Sequence, residues 1–532
     1  MEGDESNPVF PRLPSMRSSW PLYAVIALYA AVSLLAVLHH EPWRDEAQAW
    51  LIARDAPNPG TVIRLMGYEG TPALWHALLF PLARLGFPFP AAMQALHWLI
   101  AVAGVAHFTL YAPFPKAAKI LFPFGSYPLF EYAAIARSYV LVVLLLFLLA
   151  ALFRRRFSSP VAFAALTALL ANTAVHGTAI AGAIAALFGL ELVFSRDAGG
   201  LKKIAAPLLV LALGLSAAVF QVLPPPDLQW WAAQWNTETS EGHLKNVPAV
   251  VVNAFIPVSD NRPGFWNTNP QIPQILETGY WWAPVAALLL LAALFLARSR
   301  WAFVFFAIAA SGLLSIFFLK HFGYFRQHGL LFVSFVFAAW VARVDRGPPL
   351  LGSCFPGRLF PGSAERHADT ALSLLLVLLL AVQAWGAAIA VYYDWNHDFS
   401  ASQRAAGFLR ENNLTGRDTL VASYPSAMDA AVLALIPDDG FRIYQLEYGA
   451  FGSYMVWDTR FQQAMGWDSD RVMRAVDEER ARGNYSNVVI LACCEGSWQS
   501  NPRFMEKYYL AGSWQAIDYG DTMYAYAARR GS

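Results

Sequence analysis

The segment HHEPWRDEAQAW, His39 to Trp50, follows directly on PLYAVIALYAAVSLLAVL (Pro21–Leu38), an apolar run long enough to cross a bilayer. Charge at a membrane edge needs a physical reason, either interfacial anchoring or a reaction centre. Read alone, the segment is a capped helix, with Asp45 as N-cap and Glu46 as a first-turn acid set against the helix dipole. Adjacent carboxylates on a helix point in different directions, so one can face a protein interior while the other caps or meets solvent. DEAQAWLIARD has helical period, with Ala47, Trp50 and Leu51 on one side and Ile52 at its edge. Glu46, Gln48 and Arg54 lie elsewhere, which suits a helix lying on the membrane surface.

The composition extends the first apolar run into a class. Of 532 residues, 57% are hydrophobic and only 14% are charged, which points to a polytopic α-helical membrane protein. A net charge of +1 gives no bulk attraction to nucleic acid. Residues 1–20 are polar and proline-rich, carry Arg12 and Arg17, and lack the core and cleavage site of a signal peptide. They read as a cytoplasmic tail. Later basic clusters at Lys116/Lys119, Arg154–Arg156, Arg196/Lys202/Lys203, Arg298/Arg300 and Arg343/Arg346 then fall inside. The expected spans are 21–38, 93–113, 119–134, 138–153, 160–175, 178–194, 204–223, 281–297, 301–319, 328–343 and 370–391, about eleven helices. Counting TPALWHALLFPLARLG (Thr71–Gly86) as a crossing would turn every later basic cluster outward, so it belongs to an external loop, 39–92, with two amphipathic helices.

A second external loop, 224–280, is rich in Trp, Asn and Pro and too long for a plain connection. Trp230, Trp231, Trp235 and Trp266 serve there either as interfacial anchors or as faces for sugar stacking. Residues 21–392 form the transmembrane domain. Residues 393–532 alternate strand patterns (TLVASY, NVVILACC, MYAYAA) with helical ones, and read as an external soluble α/β domain. Cys493 and Cys494 are neighbours on a strand, Cys354 falls in a cytoplasmic loop, and no metal spacing is present.

Position gives the acidic pair more weight. WRDEAQAW (Trp43–Trp50) resembles the W-x-D-E segment of the GT-C superfamily of membrane glycosyltransferases. That superfamily includes the protein O-mannosyltransferases, lipid A aminoarabinose transferases and oligosaccharyltransferase catalytic subunits. YEGTPALWHALL (Tyr68–Leu79) is similar to the segment that ends the same loop, with Glu69, Pro72 and Trp75 aligned. Gly70 stands where the family has a phosphate-contacting lysine. In FEYAAIARSYVLVVLLL (Phe130–Leu146) Ala136, Arg137 and Tyr139 align; the family's acid falls on Ile135, and Glu131 lies one turn earlier. The motifs cover roughly the first 155 residues, the rest only by architecture. The resemblance implies an inverting transfer of a sugar from a polyprenyl-phosphate donor to a glycan, lipid or protein acceptor, at the outer face of a plasma or inner membrane.

Such a reaction needs a carboxylate behind the anomeric carbon and cations on the leaving phosphate. Asp45 is the expected base, supported by Glu46 and Glu69, with Arg137, Glu131 and Tyr139 at the donor phosphate. LKHFGYFRQHG (Leu319–Gly329) places Lys320, His321, Arg326 and His328 outside, against the positive-inside bias, so an anionic lipid phosphate is their natural partner. Trp230 and Trp231 are added as substrate-contacting aromatics. His176, where two spans meet outside, reads as a hydrogen-bonded interfacial residue. No metal is called for; a divalent ion, if used, would fall to His40, Asp45 and Glu46. Two other classes fit the composition. A transporter or flippase for a lipid-linked sugar would want charges at mid-membrane, where the spans carry almost none. A non-catalytic scaffold with a partner-binding domain would leave Asp45, Glu69 and Arg137 apart.

Overall fold

The structure, a computed structural model, describes residues 16–194, 201–228, 240–277, 279–280, 282–345, 363–437, 440–493 and 496–529. Trp230, Trp231, Trp235, Cys354 and Cys494 lie outside the described residues.

The first apolar run forms α1 (Met16–His39). Three short helices follow, α2 (Arg44–Asp55), α3 (Pro59–Glu69) and α4 (Leu74–Arg84), one more than the two expected in this loop. Next come α5 (Ala91–Tyr111) and α6 (Lys116–Leu121), and then a π-helix, Ser126–Ala134, with all nine residues buried. The bundle continues with α7 (Tyr139–Leu152), α8 (Pro160–Ala171), α9 (Val175–Phe194) and α10 (Leu201–Gln221). It is completed by α11 (Glu241–Phe255), α12 (Gln271–Glu277), α13 (Trp282–Leu296), α14 (Arg300–Leu319), α15 (Phe325–Val344) and α16 (Ser363–Asn396). Every expected span falls on helix, although 119–134 is broken between α6 and the π-helix. Seven helices among the described residues are long and apolar enough to cross a membrane, eight if α12 and α13 are one bent span. α8, at 12 residues, is about 18 Å long and cannot alone cross ~30 Å of hydrocarbon.

Two expectations change here. The loop 224–280 holds α11, a helix with Val250–Phe255 buried against α13, α14 and α15. At 15 residues it is about 22 Å long, too short to cross ~30 Å of hydrocarbon alone. In addition, α2 does not lie on a membrane surface, because Glu46 to Ala53 are all buried. Ala47 and Leu51 pack into the core of the C-terminal sheet, while Ala49, Trp50 and Ala53 pack with Tyr29, Trp75 and Met93. Alanines supply the second contact face, and a hydrophobicity pattern does not mark it.

The sheet has β1 (Thr419–Tyr424), β2 (Ile443–Gln445), β3 (Ala450–Gly452), β4 (Asn487–Cys493), β5 (Tyr508–Trp514) and β6 (Met523–Ala528) in the order β3-β2-β1-β4-β6-β5. The β2-β1-β4 core is parallel, and β3, β6 and β5 pair antiparallel. Val421, Val489 and Leu491 face the layer of α17 (Ser402–Glu411), α18 (Ala430–Leu435) and α2; Leu420, Val488 and Ile490 face that of α20 (Ser469–Arg482), which follows the short α19 (Thr459–Ala464). Alternate residues face opposite layers, as a strand requires.

α15 is buried on nearly every side. Its first turn is held by the π-helix, because Tyr132 Oη donates to the Arg326 carbonyl (2.8 Å). Gly329 lies one turn further on, where a Cβ would overlap the ring of Tyr127 and come within 2.6 Å of Tyr132 Oη. Gly329→Val is therefore expected to destabilise the protein by about 1–3 kcal/mol through overpacking. The check is the thermal midpoint of the purified chain in detergent; an unchanged midpoint would mean that this contact has slack.

Candidate active site

α1 ends at His39, and the chain turns through Glu41 and Pro42 into α2 with Trp43 as N-cap. The N-cap is thus not Asp45. Glu46 closes the helix start, taking the Trp43 N–H on Oε2 (3.0 Å) and the Ala136 N–H on Oε1 (2.5 Å). It has no exposed surface and does not line the cavity described below. His40 is buried beside it, with Nδ1 3.0 Å from Asp394 Oδ1 and Nε2 3.5 Å from Glu46 Oε2. Burial pulls the imidazole down, but the Asp394 and Glu46 carboxylates outweigh it and hold His40 well above its ordinary pKa.

Asp45 points the other way, into a cavity of about 480 Å³ between the helical bundle and the carboxyl ends of the parallel strands. Three guanidinium groups surround its carboxylate: Arg137 Nη1 at 3.7 Å, Arg326 Nη2 at 3.5 Å and Arg44 Nε at 3.7 Å. Burial raises the Asp45 carboxyl, but Arg137, then Arg326 and Arg44, bring it below the usual carboxylate range. Arg137 Nη1 also donates to the Asp45 carbonyl (2.6 Å). Arg44 reaches across to Asp518 (3.7 Å) and Asp521 (3.4 Å) in the C-terminal domain.

Arg326 is the most enclosed of these cations, with 5% of its side chain exposed. Its guanidinium lies over the rings of Trp43 (5.0 Å), Trp266 (5.1 Å) and Tyr324 (5.0 Å), so three aromatic faces orient it. Its Nε and Nη1 have no hydrogen-bond partner among the described residues. A buried guanidinium with donors unspent is costly unless an anion meets it. Among the described residues no three His, Cys, Asp or Glu side chains group to hold one.

Glu69 lines the same cavity and accepts from Gln48 Nε2 (2.9 Å). Gln48 also bonds both backbone groups of Met455 (Nε2 to O 2.8 Å, N to Oε1 3.1 Å), which ties α2 to the C-terminal domain. Burial pushes the Glu69 carboxyl up to about 7, with Gln48 the first of the weaker pulls the other way. An acid whose folded pKa is raised contributes stability that is complete below its unfolded pKa and is lost as pH rises through the folded value. Wild type should therefore lose thermal stability relative to Glu69→Gln between about pH 4.5 and 7. Parallel melting curves of the two proteins across that window would test the sign; a constant gap would contradict it.

Tyr139, Lys320 and His321 also line the cavity, with Tyr139 Oη accepting from Gln327 Nε2 (3.2 Å). Burial, and then Arg326, push His321 down to about 4, so it is neutral at pH 7. His328 does not line it; its ring is engaged by Asn253 Nδ2 (3.2 Å) and the Phe322 carbonyl (2.9 Å). Glu131 sits behind the wall, where Oε1 accepts from Trp266 Nε1 (3.2 Å). Asp45, Glu69 and Arg137 share one cavity, whereas a scaffold needed them apart. Gln48 and Asp518 also line the cavity, and no local sequence pattern marks either. His176, expected as a hydrogen-bonded interfacial residue, instead lines the cavity, and neither ring nitrogen has a hydrogen-bond partner among the described residues. A buried polar residue opening an apolar span was the available signal.

No family model matches the chain, and no curated protein is similar to it in sequence. Its fold is that of a solved structure, ArnT from Cupriavidus metallidurans bound to undecaprenyl phosphate. The two align with a TM-score of 0.56 over 97% of this chain and 99% of the other, at 11% identity. At that identity the likeness establishes the fold, and it agrees with the GT-C architecture that the early motifs suggested.

Proposed function

We propose that the chain is a GT-C-type membrane glycosyltransferase. It takes a sugar from a polyprenyl-phosphate-linked donor and passes it, with inversion, to an acceptor on the external side. The observation that carries this reading is the convergence of Arg137 and Arg326 on Asp45, all three lining one cavity. The shared fold with a protein bound to undecaprenyl phosphate supports the choice of lipid.

The donor phosphate lies between Arg137 and Arg326, whose planar forks suit two of its oxygens. The acceptor hydroxyl attacks the anomeric carbon as the C–O bond to phosphate breaks, and the departing electron pair stays on the phosphate. Arginine N–H groups already facing that oxygen stabilise the growing charge without reorganisation. Asp45 takes the hydroxyl proton. The arginines by themselves make Asp45 a weak base; a bound phosphate shares their charge and restores its basicity. Substrate binding thus prepares the base. Glu69, whose carboxyl burial pushes up to about 7, donates to a sugar hydroxyl when protonated. Transfer completed in one displacement inverts the anomeric centre.

Incubating the purified full chain with polyprenyl-phosphate sugars and a total membrane extract as the source of acceptor hydroxyls should transfer the sugar and release polyprenyl monophosphate. If the chain neither consumes such donors nor binds the monophosphate, the reading fails.

A further inference from the structure

The cavity has two unlike walls. On the bundle side it is lined by Arg137, Arg326 and Lys320, with the Asp45 and Glu69 carboxylates at the seam. On the other side the C-terminal domain contributes Met428, Met455, Trp457, Phe461 and Met465. Three of the chain's ten methionines are thus on this one surface, and methionine makes an apolar wall that adapts to the shape it meets. Among the described residues, the only charge the domain adds to the lining is Asp518. Its carboxylate lies 3.7 Å from Arg44, which also meets Asp45 and Asp521, so three carboxylates already surround that cation. This wall offers apolar area and a carboxylate, and is poorly suited to an anion. Single displacement brings the nucleophile in opposite the leaving phosphate. With the cations on the bundle wall, the nucleophile arrives from the methionine wall. The seam is tied to that wall: Arg44 Nη1 donates to Met428 Sδ (3.0 Å), Gln48 joins Glu69 to the Met455 carbonyl, and Trp457 donates to Glu69. The apolar surface also continues to the membrane. Val222, Pro224 and Leu228, just past α10, line the same cavity. They meet the domain where Thr459 Oγ1 donates to the Asp227 carbonyl (2.8 Å), two residues from Trp457. α10 is one of the spans, and around its end Phe220 is 72% and Leu223 56% exposed.

We infer that the acceptor is an uncharged lipid alcohol, whose hydroxyl reaches Asp45 from the methionine wall while its apolar part lies along Trp457, Met465 and Leu228. This rests on the proposed function, since it concerns the molecule that receives the sugar. The hydroxyl oxygen forms the bond to the anomeric carbon, and its proton passes to Asp45. The bond from that carbon to the phosphate oxygen breaks, and its electron pair stays on the phosphate. A polyol acceptor would find few hydrogen-bond partners on such a wall, and a protein acceptor would have no use for an apolar surface that leads to the bilayer. An anionic lipid would bring its charge toward Asp518 and Asp45.

The test uses the full chain in nanodiscs of phosphatidylcholine, which has no free hydroxyl, and polyprenyl-phosphate sugars labelled in the sugar. Three acceptor pools come from one membrane extract: neutral lipids, anionic lipids and delipidated protein. Label should pass to the neutral-lipid pool at least about tenfold faster than to either of the others. Met465 is 47% exposed, so a charge there is compatible with the fold. Met465→Glu should raise the amount of neutral lipid needed for half-maximal transfer about tenfold, whereas Met465→Leu should not. Both variants should bind polyprenyl monophosphate with wild-type affinity. Faster transfer to anionic lipid or to protein, transfer to none of the three pools, or an unchanged neutral-lipid requirement in Met465→Glu overturns the inference. An equal loss of monophosphate affinity in Met465→Glu also overturns it, because the wall would then hold the donor's own chain. If wild type neither consumes the donors nor binds the monophosphate, the functional reading itself has failed, and the two failures are told apart.

Discussion

Asp45→Asn is expected to lower the rate of sugar transfer by about 10²- to 10⁴-fold, the range a positioned general base contributes. The same change should leave binding of polyprenyl monophosphate unimpaired, or strengthen it. Asparagine fills the same space, so the cavity keeps its shape. What disappears is the one negative charge on which Arg137, Arg326 and Arg44 converge. An incoming phosphate then has no carboxylate to displace. A drop in turnover with an equal or lower Kd for the product lipid separates loss of the base from loss of the site. Measured by single-turnover transfer and equilibrium binding on one preparation, full activity in the Asn variant would remove Asp45 from the chemistry. Glu46→Gln supplies the contrast. Its oxygens hold the Trp43 and Ala136 N–H groups, so it should lower the thermal midpoint as well as the rate.

The early chain made part of this legible. Trp43, Arg44, Asp45 and Glu46 are consecutive, and the membrane helix before them fixes where they emerge. Arg137 and Arg326 could be placed because a charge beside an apolar run has few reasons to be there. What stayed hidden depended on partners far along the chain. Gln48 matters through Met455, and Arg44 through Asp518 and Asp521, pairings that no local pattern encodes. The division of labour between Asp45 and Glu46 was also invisible. Consecutive residues on a helix are about 100° apart, and only the docked Ala136 turn decides which one is consumed by capping. Similarly, Trp266 reads equally well as an anchor or a sugar platform until its ring is seen against the Arg326 guanidinium.

Arg326→Lys should be nearly as damaging as Arg326→Gln, and that equivalence discriminates more sharply than the loss itself. A surface cation that merely attracted phosphate would be replaced well by lysine. Arg326 instead sits among Trp43, Trp266 and Tyr324, with Nη2 near Asp45 while Nε and Nη1 remain unspent. That arrangement uses the plane and the fork of a guanidinium, and an ammonium has neither. Lysine is also more strongly hydrated and pays more to enter so enclosed a site. Both variants should weaken binding of polyprenyl monophosphate by about 100-fold, about 2.7 kcal/mol. The donor KM should rise in parallel, because the phosphate is held in ground state and transition state alike. Rate at saturating donor should fall as well, since charge on the departing oxygen loses one of its two guanidinium partners. Binding isotherms and donor saturation curves for the two variants give the answer together. Near-complete rescue by lysine would mean that the aromatic cage only buries Arg326, and that Arg137 and Lys320 carry the phosphate.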